Sequence, residues 1–349
     1  MPQSPPANNA IIKVGQSCAT LSTIPIPSVR SPDNESFILI RTVAVAMNPT
    51  DWQTLDEPFT NSKGVPNPPV MGCDAAGVVV EVGGQVTKKF NEGDKVLGAS
   101  HGGNILYPQY GTFANYILIK GDTAIHIPSH LSFEEAATLS CGFGTVALSF
   151  YRHLELPLPS LPNEVENAEE KVNNEGNFDL VKSRGADYVF DYNDPQSPSK
   201  ILSLTQGHPL TLILDMIATE PSAKFCAECL SIPTDENQVE DNIIYVSLLP
   251  ITLPLKEPSP KIKQIFFLGY TIFNCPFEVE GEFWDAVPED FALCVKFCNV
   301  FEKLLERGII KPHPVLLKSG GLEEILNEGF DLVRKGVSGV KVVYRIGKK

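Results

Sequence analysis

Met71-Gly72-Cys73-Asp74-Ala75-Ala76-Gly77-Val78-Val79 sets two glycines around a short polar step and then runs into β-branched residues. With Gly93-Asp94-Lys95-Val96 further on, it places glycines where a strand-rich barrel needs tight turns or close backbone approach, which a Cβ would obstruct. The plainer reading is that Gly72, Asp74 and Gly77 only build that barrel, through turn chemistry. Working outward, residues 10–120 break into short strands. Residues 36–45 alternate and are rich in branched side chains, and 78–82 and 116–119 are similar. Proline and glycine clusters at 64–69, 83–84, 102–103 and 108–111 separate them.

Ser132 and Glu135 form the S-x-x-E pattern of a capping box, so a helix is predicted from there towards residue 139 and a second to 153. The style of the chain then changes. Residues 178–184 predict a short helix stopped by Gly185. Strands are predicted at 188–192, 210–217, 242–249 and 264–271, with helices at 198–204 and 221–230. Strands alternating with helices imply a parallel sheet with crossovers. Residues 283–307 predict a long amphipathic helix ended by Gly308. The tail adds a helix at 322–334 and a strand at 341–346, which is expected to return to the first domain.

The fold class expected is therefore α/β: a β-barrel domain at 1–140, completed by 309–349, and a parallel sheet with crossover helices at 141–308.

The chain has 349 residues, enough for about two domains. Its formal charge of −14 argues against a general nucleic-acid or anionic-membrane surface, although Lys318, Arg334, Lys335 and Lys341 could form a local basic patch. Eight scattered cysteines suggest reduced thiols and a cytoplasmic setting. Residues 1–10 are polar and proline-rich, without the pattern of a signal peptide, and no apolar run is long enough to span a membrane.

Val45-Ala46-Met47-Asn48-Pro49-Thr50-Asp51-Trp52, the glycine segment at 72–77, Gly93-Asp94-Lys95-Val96 and the closing Ser338-Gly339-Val340-Lys341-Val342-Val343-Tyr344 together resemble the medium-chain dehydrogenase/reductase superfamily. More narrowly, they resemble its fungal zinc-independent branch, which includes stand-alone enoyl reductases serving polyketide synthases. The resemblance implies a GroES-like catalytic barrel and a Rossmann-like sheet. It implies NADPH as cofactor, no zinc, and a small-molecule or carrier-bound acyl substrate. A polyketide synthase is the implied partner, and the state monomer or homodimer.

By the same resemblance, zinc-bearing members place ligands at positions matching Asn48, Cys73 and Cys141. Two thiols and an amide make a poor catalytic zinc set. No cysteine cluster follows Val96 to make a structural zinc lobe. Cys226/Cys229 and Cys294/Cys298 are read as small buried hydrophobes. No metal is expected.

The resemblance assigns Asn48, Pro49, Thr50 and Asp51 to the cofactor, with Asn177, Tyr192, Leu248, Val340 and Lys341. It assigns Thr138, Cys141, Gly142, Phe143, Gly144 and Thr145 to the substrate. Asn48 and Thr138 are the candidate hydrogen-bond donors for the chemistry. Against these roles stand turn-capping for Asn48 and a helix-interior hydroxyl for Thr138. Where relatives often carry lysine after the Asp-Trp pair, this chain has Gln53, which donates a hydrogen bond but brings no charge.

Residues 159–176, Pro-Ser-Leu-Pro-Asn-Glu-Val-Glu-Asn-Ala-Glu-Glu-Lys-Val-Asn-Asn-Glu-Gly, stand where such a sheet should have its first strand, glycine-rich turn and helix. A crossover unit needs on the order of 30 residues, and this stretch is shorter, acidic and without an apolar run. The phosphate loop is therefore expected to be missing. An incomplete gene model, a degenerate paralogue acting as a docking protein, and a sheet re-paired around the loss all remain open.

Overall fold

The computed structural model describes residues 7–58, 67–161, 177–205, 210–230, 243–255 and 262–346. The chain begins with β1 (Asn8–Gly15), β2 (Cys18–Ile24), β3 (Phe37–Ala46), α1 (Pro49–Asp56) and β4 (Asp74–Val82). It continues through β5 (Lys95–Ala99), β6 (Tyr116–Lys120), β7 (Ile125–His126), α2 (Phe133–Ala136) and α3 (Ser140–Val146), with a π-helical stretch at Ala147–His153. Next come α4 (Phe178–Ser183), α5 (Ser197–Leu204), β8 (Leu212–Asp215), α6 (Glu220–Glu228), β9 (Ile243–Ser247) and β10 (Ile262–Phe266). The chain closes with β11 (Phe277–Val279), β12 (Glu282–Trp284), α7 (Pro288–Glu306), β13 (Val315–Lys318), α8 (Gly321–Glu324), α9 (Phe330–Arg334) and β14 (Lys341–Arg345). These elements fall into two compact units, 1–145 with 159–165 and 270–349, and 146–158 with 166–269.

The first unit is built on a seven-stranded sheet in the order β13-β14-β3-β4-β5-β7, with β6 also paired to β3. β1 and β2 form a separate antiparallel pair, which is tied back by the Ile11 N–H to the Phe113 carbonyl at 2.9 Å. Ile11, Ile38, Ile40, Met71, Phe113, Ile117 and Tyr344 belong to its fully buried core. The glycines quoted above earn their places sterically. A Cβ on Gly72, whose φ is +95°, would meet the Phe113 ring at 2.3 Å, and one on Gly77 would meet the Arg41 carbonyl oxygen at 2.3 Å. Gly93, with φ +93° and open space around it, answers to backbone conformation alone.

The capping box is formed: the Glu135 N–H reaches Ser132 Oγ at 3.2 Å, and the Ser132 N–H reaches Glu135 Oε2 at 2.9 Å. The tail returns to the barrel, with β14 antiparallel to β3 and parallel to β13. Three of the four basic residues expected in a local patch are taken up by ion pairs. Lys318 pairs with Glu328, Arg334 with Asp56 and Asp331, and Lys341 with Asp74.

The second unit holds β8, β9 and β10 in one parallel sheet, in the order β10-β9-β8. Residues 188–192 are not a strand. Among the described residues no strand pairs with them, and Tyr188 and Tyr192 are 65% and 77% exposed; a β-rich sequence without a ladder partner leaves its backbone groups to water. The expected strand at 264–271 ends at Phe266, and a 3₁₀ turn follows at Gly269–Phe273. Phe283 lies outside the long helix. Glu280 and Gly281, both at positive φ, close a tight β11–β12 hairpin, and the helix waits for Pro288 at its first turn. Of the segment expected to lack a strand, turn and helix, 159–176, residues 159–161 carry no secondary structure and residues 162–176 lie outside the described residues.

Cys294 and Cys298 are fully buried with their sulfurs 3.9 Å apart, and Cys229 is buried as well, whereas Cys226, expected to be buried, is only half-buried. Among the described residues, no helix is long and apolar enough to cross a membrane.

Candidate functional site

In the first unit, residues separated by almost three hundred positions converge on one side chain, Asn48. It sits immediately before α1 in extended conformation, with Pro49 at the first helical position. Its backbone N–H donates to Asp51 Oδ2 at 2.6 Å. Its side-chain Nδ2 donates to Asp74 Oδ2 at 2.9 Å. Its Oδ1 accepts from the Lys341 ammonium. The Lys341 Nζ in turn lies 3.2 Å from Asp74 Oδ2, and the other oxygen of Asp74 accepts the Cys141 N–H at 2.5 Å. Asn48, Asp51, Cys73 and Asp74 are all buried, Asp74 completely. Strand ends explain the convergence: Asp74 opens β4, Lys341 opens β14, and Asn48 lies two residues past the end of β3.

Electrostatics sharpen the arrangement. Burial lowers the tendency of Lys341 to carry charge, but Asp74, Cys141 and Asp51 outweigh it and hold the ammonium above its ordinary pKa. Asp51 is pushed up to about 7, chiefly by burial and then by the neighbouring Asp74, against the Asn48 N–H and Lys341. Its Oδ1 is buried with no hydrogen-bond partner among the described residues. Burial pushes the Cys141 thiol up to about 12 and the Cys73 thiol well above its usual range, so both stay protonated near neutral pH. One cation is thus held between a carboxylate and a carboxamide, beside two neutral thiols. Among the described residues, no group of three His, Cys, Asp or Glu side chains is arranged to hold a metal ion.

Thr50 extends the cluster, its Oγ1 lying 2.5 Å from the Tyr270 hydroxyl. Tyr270 stacks on His101 with ring centroids 3.5 Å apart. Burial holds His101 down to about 3, so it is a neutral ring in the stack. Thr138 is fully buried, donates to the Glu135 carbonyl at 2.7 Å and accepts the His313 N–H at 3.3 Å. Its single hydroxyl hydrogen is thus taken up by the chain. Cys141, Gly142, Phe143, Gly144 and Thr145 lie on α3. Phe143 packs against Phe301 in the core, a Cβ on Gly144 would meet Ile272 at 2.7 Å, and Gly142 opens onto free space. Val340 is exposed just before Lys341.

In the second unit, Asn177 precedes α4 and is exposed, Tyr192 is exposed, and half-buried Leu248 follows β9. The carboxyl ends of β8 and β9 carry exposed Met216, Ile217 and Leu249. Ligands of open parallel sheets bind at such strand ends, and apolar side chains there fit a planar ring. The stretch at 162–176, where a glycine-rich phosphate turn is expected to be missing, falls outside the described residues. Beneath these side chains Asp215 is buried and accepts from Ser222 Oγ, Tyr245 OH and the Ile217 and Ala218 N–H groups.

Sequence reasoning alone did not reach Asp215, Tyr270 or His101. For Asp215 the available signal was a carboxylate at the end of an apolar strand; the other two carried none.

A barrel of this kind joined in one chain to a parallel α/β unit defines a medium-chain dehydrogenase/reductase. Residues 34–129 match the model of the alcohol dehydrogenase GroES-like domain. A trans-enoyl reductase of Aspergillus sclerotiorum is 32% identical over 92% of this chain and 95% of its own. One of Alternaria alternata is 32% identical over 97% and 98%. The chain belongs to the fungal trans-enoyl reductases of this superfamily. Among solved structures it is similar in fold to the CurK enoyl reductase (TM-score 0.67, 15% identity, 97% of this chain and 99% of that one). It is also similar to a quinone oxidoreductase from Coxiella burnetii (TM-score 0.61, 18% identity, 98% and 100%). The alignment to the Aspergillus protein runs to 360 residues while using 92% of a 349-residue chain. That relative therefore carries residues with no counterpart here.

Proposed function

We propose that the protein is an NADPH-dependent, zinc-independent reductase of an activated carbon–carbon double bond, in an enoyl thioester or enone, acting in the cytoplasm with a polyketide synthase. The observation that carries this reading is the buried Asn48 carboxamide, with its N–H edge fixed by Asp74 and its oxygen by Lys341, in a chain whose relatives are named trans-enoyl reductases. When bound, the reduced nicotinamide supplies a hydride. The β-carbon of the substrate gains it, the π electrons move onto the carbonyl oxygen, and a solvent proton completes the α-carbon.

What the protein must add is a donor aimed at that oxygen, where charge develops. Asn48 is our choice, because the Thr138 hydrogen is engaged with Glu135. Asn48 to Asp51, Asn177, Tyr192, Leu248, Val340 and the backbone at Lys341 are the groups we assign to the cofactor. Cys141 to Thr145 are assigned to the acyl chain. Titration of NADPH into the folded protein, followed by fluorescence, tests the reading, with turnover of a crotonyl-type thioester as the second step. Saturable micromolar binding and NADPH-dependent turnover are expected.

A second reading has its own support. The relatives' extra residues and the three-stranded sheet among the described residues of the second unit suit a non-catalytic relative that docks on a synthase. That reading predicts association with the synthase without cofactor, and no change in NADPH fluorescence.

A further inference from the structure

Three groups hold the Asn48 side chain and its backbone, and they come from three different strand and helix ends. Asp51 takes the backbone N–H, Asp74 takes one Nδ2 hydrogen, and Lys341 donates to Oδ1. An asparagine amide is symmetric in shape but not in chemistry. A side chain pinned only by packing could turn over and present oxygen where nitrogen is needed. Here it cannot, because Lys341 is solely a donor and the Asp74 carboxylate solely an acceptor. Among the described residues Nδ2 donates to Asp74 alone, which leaves its second hydrogen uncommitted. A cation bonded to the oxygen of an amide also draws charge from it, so the remaining N–H becomes a better donor.

We propose that Lys341 and Asp74 are positioning residues that act through Asn48, fixing its carboxamide N–H edge outward and polarising it as the donor to the substrate carbonyl oxygen. The proposal deepens the reductase reading and rests on it. It gives the ammonium a duty other than binding a cofactor phosphate: its hydrogen bonds go to Asn48 and Asp74. It also gives Asp74 a second duty. The same carboxylate that holds Nδ2 accepts the Cys141 N–H at 2.5 Å, so the amide and the first turn of α3 are set from one fixed point. Burial, with the neighbouring carboxylates, keeps Cys73 and Cys141 neutral, in the case of Cys141 against the pull of Lys341.

The test is a set of variants assayed with NADPH and an enoyl thioester: Asn48→Ala, Lys341→Met, Lys341→Arg, Asp74→Asn and the double variant Asn48→Ala with Lys341→Met. Asn48→Ala should lower kcat by about two orders of magnitude, and Lys341→Met by about tenfold or more, the scale of a lost charge-assisted hydrogen bond. In Lys341→Met, whose side chain is bonded to Asn48 and Asp74 rather than assigned to the cofactor, KM for NADPH should stay near the parent value. The double variant should be no slower than Asn48→Ala alone, because residues acting through one group are not additive, and Lys341→Arg should recover part of the rate. Losses that multiply in the double variant, or a raised KM for NADPH at unchanged kcat, would overturn the proposal.

Nuclear magnetic resonance of asparagine-labelled protein reads the same lock without turnover. The Asn48 side-chain amide protons should be slow to exchange in the parent and in Lys341→Arg, and fast in Lys341→Met and Asp74→Asn. Unchanged exchange in folded Asp74→Asn sinks the proposal on its own. A parent that binds no NADPH and turns nothing over, with the amide still locked, sinks the reductase reading instead.

Discussion

The two compact units were built from the same chain to opposite standards. In the first, glycines stand where a single carbon would strike a ring or a carbonyl, and ionic groups are buried only where each meets a partner. In the second, large apolar side chains such as Tyr192, Met216 and Ile217 face water, and a Cβ at its positive-φ Gly185 would touch nothing. The difference is one of constraint. A mostly antiparallel sheet carrying a buried ion pair leaves few substitutions free. An open parallel sheet leaves its strand ends uncovered for a ligand.

Substitution of matched glycines breaks this comparison most severely. Gly72→Ala combines positive φ with overlap against Phe113 and Thr112 and should cost about 4 kcal/mol or more, or abolish folding. Gly185→Ala, with φ +98° and open space, should cost only about 1–2 kcal/mol. Urea denaturation separates the two, and equal costs would erase the contrast.

The carboxylates give the next largest effect. Asp74→Ala strands the Lys341 ammonium in a buried site and should destabilise by about 3–5 kcal/mol. Asp215→Ala removes an acceptor from Tyr245, Ser222 and two backbone N–H groups and should cost about 1–3 kcal/mol. Matched melting curves of the two variants check the order.

A pH effect is expected from α7, whose Glu302 binds His126 Nδ1 at 2.7 Å and also meets Lys88. The hydrogen bond to Glu302 raises His126 above its ordinary 6.5 against burial. Its contribution is therefore full below pH 6.5 and is lost as pH rises through the folded value. Burial pushes Glu302 up, but His126 and Lys88 outweigh it and hold it down to about 2. Its contribution is full above pH 4.5 and is lost as pH falls towards 2. Stability from this clasp should peak between pH 4.5 and 6.5. The alkaline arm, with His126 partly exposed, is worth about 1 kcal/mol or less. In His126→Gln, melting temperature should no longer fall on that arm; an unchanged profile would mean the imidazole does not titrate there.

The smallest effect on stability belongs to Ile217→Ser, within about 0.5 kcal/mol, since the side chain is 69% exposed. The same change should weaken NADPH binding several-fold, and an unaltered titration would remove these strand ends from the candidate site.

The barrel was legible because its signals are local. Gly72, Gly77 and the Ser132–Glu135 cap each announce a backbone need within a few residues, and the order of four motifs carried the family. The strand expected at 188–192 failed because a strand exists only with a partner, and β-rich composition cannot supply one. Phe283 was assigned to a helix because apolar spacing hides a two-residue turn; Glu280-Gly281 was the available hint. Asn48 could be singled out by position, yet nothing in its neighbourhood reveals Lys341.

By itself the sequence determined the barrel, the alternation of strand and helix behind it, and the family, since these follow from side-chain period, turn residues and motif order. Only the tertiary structure decided which way the Asn48 amide faces and that the Thr138 hydrogen is committed to Glu135. It also turned Lys341 from one of four tail cations into the partner of Asp74. Those choices depend on contacts between the ends of β3, β4 and β14, which are distant in the chain, and a donor acquires direction only when its partners are in place.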